Sequence, residues 1–239
     1  MTNVDAMTQG VTRSFVDLRA WAAGVTVGAG EGDAFLSARS VLPQPEGPVS
    51  IGLIALPQGS GSVAAMPADE FVIVESGSVQ IDQRTLKEGD SIVLCEGARF
   101  GWTTIADARL LFVRRTGGSA ADGAIIPIDT SAPLEPSGAP LAELLVGPTP
   151  SCRNFTDYRS ADGEFVCGTW DSTPYHRRPM AYRHYELMYL LDGSVTFVDG
   201  AGAAGTFGKG DIFLVEQGAS CSWDSQVHVK KVYAIYRPA

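Results

Sequence analysis

Histidine, paired cysteine, concentrated positive charge and long apolar runs are all scarce in this chain, and each scarcity removes a class of function. Only three histidines occur in 239 residues, His176, His184 and His228, all in the second half. The four cysteines, Cys95, Cys152, Cys167 and Cys221, form no C-x-x-C pair, so structural zinc and a redox dithiol are unsupported. Most of them read as small apolar residues in or near strands. Acidic residues outnumber basic ones 27 to 18, and the longest basic cluster is His176-Arg177-Arg178. Phosphate binding needs a concentrated cationic surface, so nucleic acid is not an expected partner. No apolar run approaches the roughly 20 residues that span a bilayer. Residues Met1 to Gly10 carry neither a basic n-region nor an apolar h-region, which makes the cytoplasm the expected location and a membrane anchor unexpected.

What the chain does have is short β-branched and aromatic runs bounded by glycine. They include Phe71 to Val74, Ser78 to Ile81, Ser91 to Leu94, Leu110 to Val113, Leu187 to Leu191, Val195 to Val198, Ile212 to Val215 and Lys231 to Tyr236. Many short strands with glycine turns predict an all-β sandwich or barrel. Helix is expected only briefly, at Asp17 to Ala23 and Leu141 to Leu145.

One pattern occurs twice: Glu, six residues, Gly, then Gly-Asp, six residues, Gly, four residues and Trp. The first copy is Glu70, Gly77, Gly89, Asp90, Gly97 and Trp102; the second is Glu186, Gly193, Gly210, Asp211, Gly218 and Trp223. A repeat this long is a duplicated domain, not a solenoid unit. The second copy is longer by about five residues around Asp199 to Thr206. Between the copies lies a stretch rich in Gly, Ala, Ser and Pro, which reads as an extended crossing segment. The expected organisation is an N-terminal barrel over 1–116, a connector over 117–150 and a C-terminal barrel over 151–239.

The repeated pattern resembles the two sequence motifs of the cupins. The runs Asp69-Glu70-Phe71-Val72-Ile73-Val74, Tyr185-Glu186-Leu187-Met188-Tyr189-Leu190-Leu191-Asp192-Gly193 and Gly168-Thr169-Trp170-Asp171-Ser172-Thr173-Pro174 resemble the ethanolamine-utilisation, or EutQ-like, branch of small cupins. The resemblance implies two tandem jelly-roll barrels of the RmlC-like superfamily, a bicupin. It also implies a metal site of three His and one Glu, but these positions fall on Met180, Tyr182, Glu186 and Cys221 in the second copy, and on Ala64, Met66, Glu70 and Phe100 in the first. Most of that site is missing, so metal is expected to be absent or non-standard. If present, it would rest on His184, Glu186 and Cys221, with His176 a further candidate.

Comparing the copies isolates a candidate site. Side chains alternate along strands, which groups Tyr182, His184 and Glu186 where the first copy has Met66, Ala68 and Glu70. Likewise Cys221 replaces Phe100, Lys231 replaces Leu110, Tyr233 replaces Phe112 and Trp170 replaces Ile54. The replacements run from apolar to polar or aromatic, as a ligand cavity requires. The expected lining is Trp170, Arg178, Tyr182, His184, Glu186, Cys221, Trp223, Lys231 and Tyr233, with Arg178 as a rim clamp for a carboxylate. Trp223 recurs as Trp102 and doubles as barrel packing. Three readings stand: a non-catalytic small-molecule binder; a metal-free acid/base enzyme using His184, Glu186, Lys231 and Tyr233; and a metal-dependent enzyme akin to the ureidoglycine aminohydrolases that the resemblance includes. A homodimer is the partner expectation beyond the ligand.

Overall fold

The computed structural model describes residues 13–28, 30–117 and 123–239; residues 1–10, read above as free of any leader, lie outside them. Contacts divide the chain into two compact units, one of which holds Ala20–Ile128 and Ser160–Gly163, the other Asp129–Arg159, Glu164–Ala239 and the segment ending at Arg19. Each unit is a pair of antiparallel sheets enclosing its own core, the two-barrel cupin arrangement.

In the N-terminal unit a six-stranded sheet runs in the order Ile125–Pro127, Ser91–Leu94, Asp69–Ser76, Ala108–Arg115, Val49–Leu56 and Arg39–Val41. Its partner sheet contains Gly59–Val63, Phe100–Thr104, Ser78–Ile81 and Arg84–Lys87. In the C-terminal unit a seven-stranded sheet runs Val16–Asp17, Ile212–Val215, Tyr185–Asp192, Val229–Tyr236, Phe165–Ser172, Cys152–Arg159 and Glu135–Ser137. The facing sheet holds Tyr175–Ala181, Ser220–Ser225, Ser194–Val198 and Ala204–Gly208. The connector supplies one edge strand to each unit, Ile125–Pro127 and Glu135–Ser137.

The repeated residues have local physical reasons. Gly77 and Gly193 both sit at φ +78°, and a Cβ there would lie 2.6 Å from the Asp107 carbonyl oxygen or 2.1 Å from that of His228. Both the left-handed turn and the close strand approach exclude a side chain. The aspartates of the Gly-Asp pairs tie down the preceding turn, with Asp90 accepting from the Lys87 amide at 2.9 Å and Asp211 from the Gly208 amide at 2.7 Å. The additional residues of the second copy form the turn of the hairpin between Ser194–Val198 and Ala204–Gly208, where Asp199 accepts from the amides of Ala201 and Ala203. The brief helices fall at Leu18–Ala23 and Ala142–Leu144; a third, Ala34–Ser37, was not anticipated.

That third helix closes the N-terminal barrel. Asp33 caps it by accepting from the Phe35 amide at 2.9 Å, and the same carboxylate takes the Trp102 indole N–H and the Ser62 amide. Phe35 is thereby driven into the core, its ring edge-on to Phe100 with centroids 5.1 Å apart. Aromatic and aliphatic side chains such as Ile54, Leu110 and Phe112 fill the rest of that interior.

Candidate functional site

Strand register shows how the two barrels correspond. Leu110 lies between Ile54 and Val74, as Lys231 lies between Trp170 and Leu190, and Phe112 lies between Gly52 and Val72, as Tyr233 lies between Gly168 and Met188. The amide of Met66 donates to the Ala98 carbonyl, as that of Tyr182 does to Ala219. Both glutamates therefore enter the interior of their barrels at the same point.

Their counter-ions come from different places. Glu70 is fully buried, grips Arg39 through both carboxylate oxygens at 2.7 and 2.9 Å, and also accepts from Arg114 at 2.6 Å. The positions equivalent to those arginines in the second barrel hold Asn154, opposite Trp170 as Arg39 is opposite Ile54, and Ile235, opposite Glu186 as Arg114 is opposite Glu70. Glu186 instead accepts from the Lys231 ammonium at 2.7 Å through Oε1, and its Oε2 lies 3.2 Å from His184 Nε2. Burial opposes the charge on Glu186, but Lys231 and His184 outweigh it and hold the carboxyl well below the usual carboxylate range.

Around this trio the barrel supplies aromatic walls. The Lys231 ammonium lies 4.8 Å from the Trp170 ring centre, 5.1 Å from that of Trp223 and 3.1 Å from the Met188 sulfur. Cation–π contacts of this kind favour the charged ammonium in a partly dry setting. Trp223 stacks on Tyr175 and meets Trp170 edge-on. On the other flank the His184 ring packs against Tyr182, whose hydroxyl accepts from Arg177 Nη2 at 3.0 Å. Burial pushes the Tyr182 phenol well above its ordinary value and the Cys221 thiol up to about 11, so both stay protonated near neutrality.

Six of the residues expected from the sequence thus converge: Trp170, Tyr182, His184, Glu186, Trp223 and Lys231. Cys221 is a buried core residue near Tyr182 and bonds to none of the trio through its thiol. Tyr233 shares the strand face of Lys231, and its hydroxyl lies 3.2 Å from Thr156 Oγ1. Arg178 lies outside the cluster: it is exposed, and its guanidinium donates to the Glu143 carbonyl at 3.3 Å. Its neighbour Arg177 is the interior arginine. A bulge between Arg177 and Met180 shifts the strand's alternation, so the residues facing inward are Tyr175 and Arg177, not Arg178. Extending the comparison of copies upstream could have found both, because they stand where the first barrel has Gly59 and Gly61.

The family-type metal site does not fit these residues. Its positions offer a thioether, Met180, a phenol already bonded to Arg177, a thiol kept protonated by burial and a carboxylate engaged by Lys231 and His184. A divalent cation there would also face the positive charges of Lys231 and Arg177. Among the described residues no group of three or more His, Cys, Asp or Glu is arranged to hold a metal, and the set His184, Glu186 and Cys221 is no exception. His176 is exposed.

Comparisons with known proteins agree with this architecture. A family model described as "EutQ-like cupin domain" matches residues 159–233, the span that contains the trio. A protein of unknown function of the DUF861 family from Pseudomonas syringae pv. tomato is 30% identical over 89% of this chain and 93% of its own, with a TM-score of 0.80. A cupin 2 conserved barrel domain protein from Leptotrichia buccalis (11% identity, 97% of this chain and 100% of that one, TM-score 0.62) shares the fold. So does Ylba from E. coli, a DUF861 protein (13%, 100% and 99%, TM-score 0.57). Among curated proteins nothing matches. Among the described residues no helix is long and apolar enough to cross a membrane.

Proposed function

The chain belongs to the DUF861 family of cupin proteins, and from that premise we propose that its C-terminal barrel is a metal-free binding site for a small organic molecule with a polar head. One observation carries this reading: the same buried glutamate is locked by two arginines in the first barrel and held by a lysine and a histidine under aromatic walls in the second. Two arginines around a fully buried carboxylate make a closed structural ion pair, since arginine does not give up its proton. Lysine and histidine can exchange protons, and with the walls formed by Trp170 and Trp223 they match the usual composition of a ligand site: apolar lining with a few convergent polar groups.

The methionines offer a direct test. Met180 and Met188 border this cluster, whereas Met66 lies in the core of the N-terminal barrel. In a methyl-13C methionine spectrum, fragments that bind should shift Met180 and Met188 and leave Met66 in place, and Glu186→Gln should weaken them about tenfold. Fragments that shift only Met66, or that bind Glu186→Gln unchanged, would defeat the reading.

A specific observation favours acid/base chemistry as a second reading. His184, Glu186 and Lys231 form one hydrogen-bonded chain, the reach that proton transfer demands. Turnover of any bound fragment, abolished by Glu186→Gln and by Lys231→Met with the fragment still bound, would select it.

A further inference from the structure

Arg177 is a buried cation whose bonding partners are all neutral. The residue is 3% exposed, and its guanidinium bonds only to neutral groups: the Tyr182 hydroxyl at 3.0 Å and the carbonyls of Arg178 and Cys221 at 3.2 and 3.4 Å. It also lies over the Tyr182 ring, 5.5 Å from its centre. No carboxylate pairs with it among the described residues. Arginine has five N–H donors, and these bonds occupy three, leaving donors on Nε and Nη2 without a partner. Such a cation cannot neutralise itself by losing a proton, and burying one without a counter-ion is costly.

The first barrel shows what fills the equivalent place. Gly61 stands opposite Trp102 as Arg177 stands opposite Trp223. A Cβ on Gly61 would lie 2.2 Å from the carboxylate of Asp33, which is the group that accepts the Trp102 indole N–H. There a half-buried carboxylate from the chain itself, two residues before the core residue Phe35, occupies that place. In the second barrel the Trp223 indole N–H goes to Ser225 at 3.1 Å, and the preceding short helix Ala142–Leu144 buries no side chain. The carboxylate is missing and a cation has appeared.

We infer that Arg177 anchors the carboxylate of a small organic monoanion, with Lys231, Glu186 and His184 buried in the interior of the same barrel; the inference rests on the small-molecule reading above. Tyr182 connects the two ends, since its hydroxyl accepts from Arg177 and its ring packs on His184, which lies 3.2 Å from Glu186. Lys231 already has Glu186 as its partner, so Arg177 is the cation of this cluster that lacks a carboxylate among the described residues, and a monocarboxylate supplies the one negative charge it needs. The unbonded Nε and Nη2 donors suit a carboxylate, and the faces of Trp170, Tyr175 and Trp223 suit an apolar or aromatic body.

Benzoate is a fitting probe, with benzamide as its neutral counterpart and inorganic phosphate as the dianion. Benzoate should shift the Met180 and Met188 methyl signals saturably and bind at least tenfold tighter than benzamide. Arg177→Gln should erase that preference while leaving residual benzamide binding, and Arg177→Lys should restore part of it. A purely structural arginine would weaken both probes alike. Equal binding of benzoate and benzamide or an unchanged preference in Arg177→Gln would overturn the anion assignment, and tighter binding of phosphate would overturn its restriction to a monocarboxylate. If neutral fragments still move Met180 and Met188 while benzoate does not, the assignment falls and the small-molecule site stands. If nothing moves them, both fall.

Discussion

Glu70 and Glu186 occupy one place in two copies of one barrel, and their surroundings differ in kind. Glu70 has no solvent exposure and two arginine partners, beneath a helix that inserts Phe35 into the core. Glu186 keeps a trace of exposure, 7%, and is held by Lys231 and His184 beside half-buried Trp170. One copy closes its interior with its own arginines and Phe35, and the other surrounds the same glutamate with Lys231, His184 and aromatic rings. The lesson is that a shared residue in a repeat identifies a position, while its partners identify its task.

The largest expected effect separates the two carboxylates. Glu70→Gln leaves two arginines around a neutral amide in a dry core and should cost about 3 to 5 kcal/mol, read from chemical denaturation followed at the Met66 methyl signal. Glu186→Gln, followed at Met188, should cost less, about 1 to 3 kcal/mol, because it leaves one lysine over aromatic faces where Glu70→Gln leaves two arginines. A larger loss at Glu186 would break the comparison.

A swap of counter-ions should come next. Lys231→Leu, which copies Leu110, strands the Glu186 charge and should lose about 3 kcal/mol. Adding Asn154→Arg, which copies Arg39, should recover more than half of that loss. No recovery would mean that the two barrels do not share one carboxylate geometry.

The scaffold glycines should behave alike. Gly77→Ala and Gly193→Ala each force a side chain into positive φ and against a facing carbonyl, at about 1 to 3 kcal/mol each, and a difference beyond about 1 kcal/mol between them would argue against equivalent turns.

Acidity should give the smallest effect. The Glu186 carboxyl is depressed below its ordinary value of 4.5, so its stabilising contribution is complete above that pH and declines as pH falls below it towards the folded value. Stability followed at Met188 should therefore drop on acidification below about pH 4.5, with a shallower slope in Glu186→Gln. An identical slope in the variant would show that other groups carry the acid sensitivity.

Much of this was legible in the residues. The strand runs, the glycine turns and the Gly-Asp pairs are local: each follows from φ, from hydrogen bonds within a few residues or from strand alternation. Comparing the copies also brought out Glu186, His184, Lys231, Tyr182, Trp170 and Trp223, because polar residues replacing apolar ones at matched positions leave a mark without any coordinates. Arg178 and Tyr233 show where such reading stops. Arg178 lies one residue from the interior arginine, and the bulge that decides between them comes from strand pairing across the sheet. Tyr233 lies on the anticipated face, yet its hydroxyl turns to Thr156, a neighbour from a strand almost 80 positions earlier.

Sequence alone determined that this protein is two cupin barrels with unequal interiors, because repeats, turns and alternation are properties of short stretches and of their comparison. Lys231 was the candidate partner of Glu186 from the sequence, and tertiary structure decided the other charge contacts. The partners of Glu70 come from positions 39 and 114, and those of Glu186 from 184 and 231. Among the described residues Arg177 is left inside without an anion, a fact visible only once the strands around it are in place. Electrostatic partnership depends on distance through space, and no spacing along the chain encodes that until the sheets have closed.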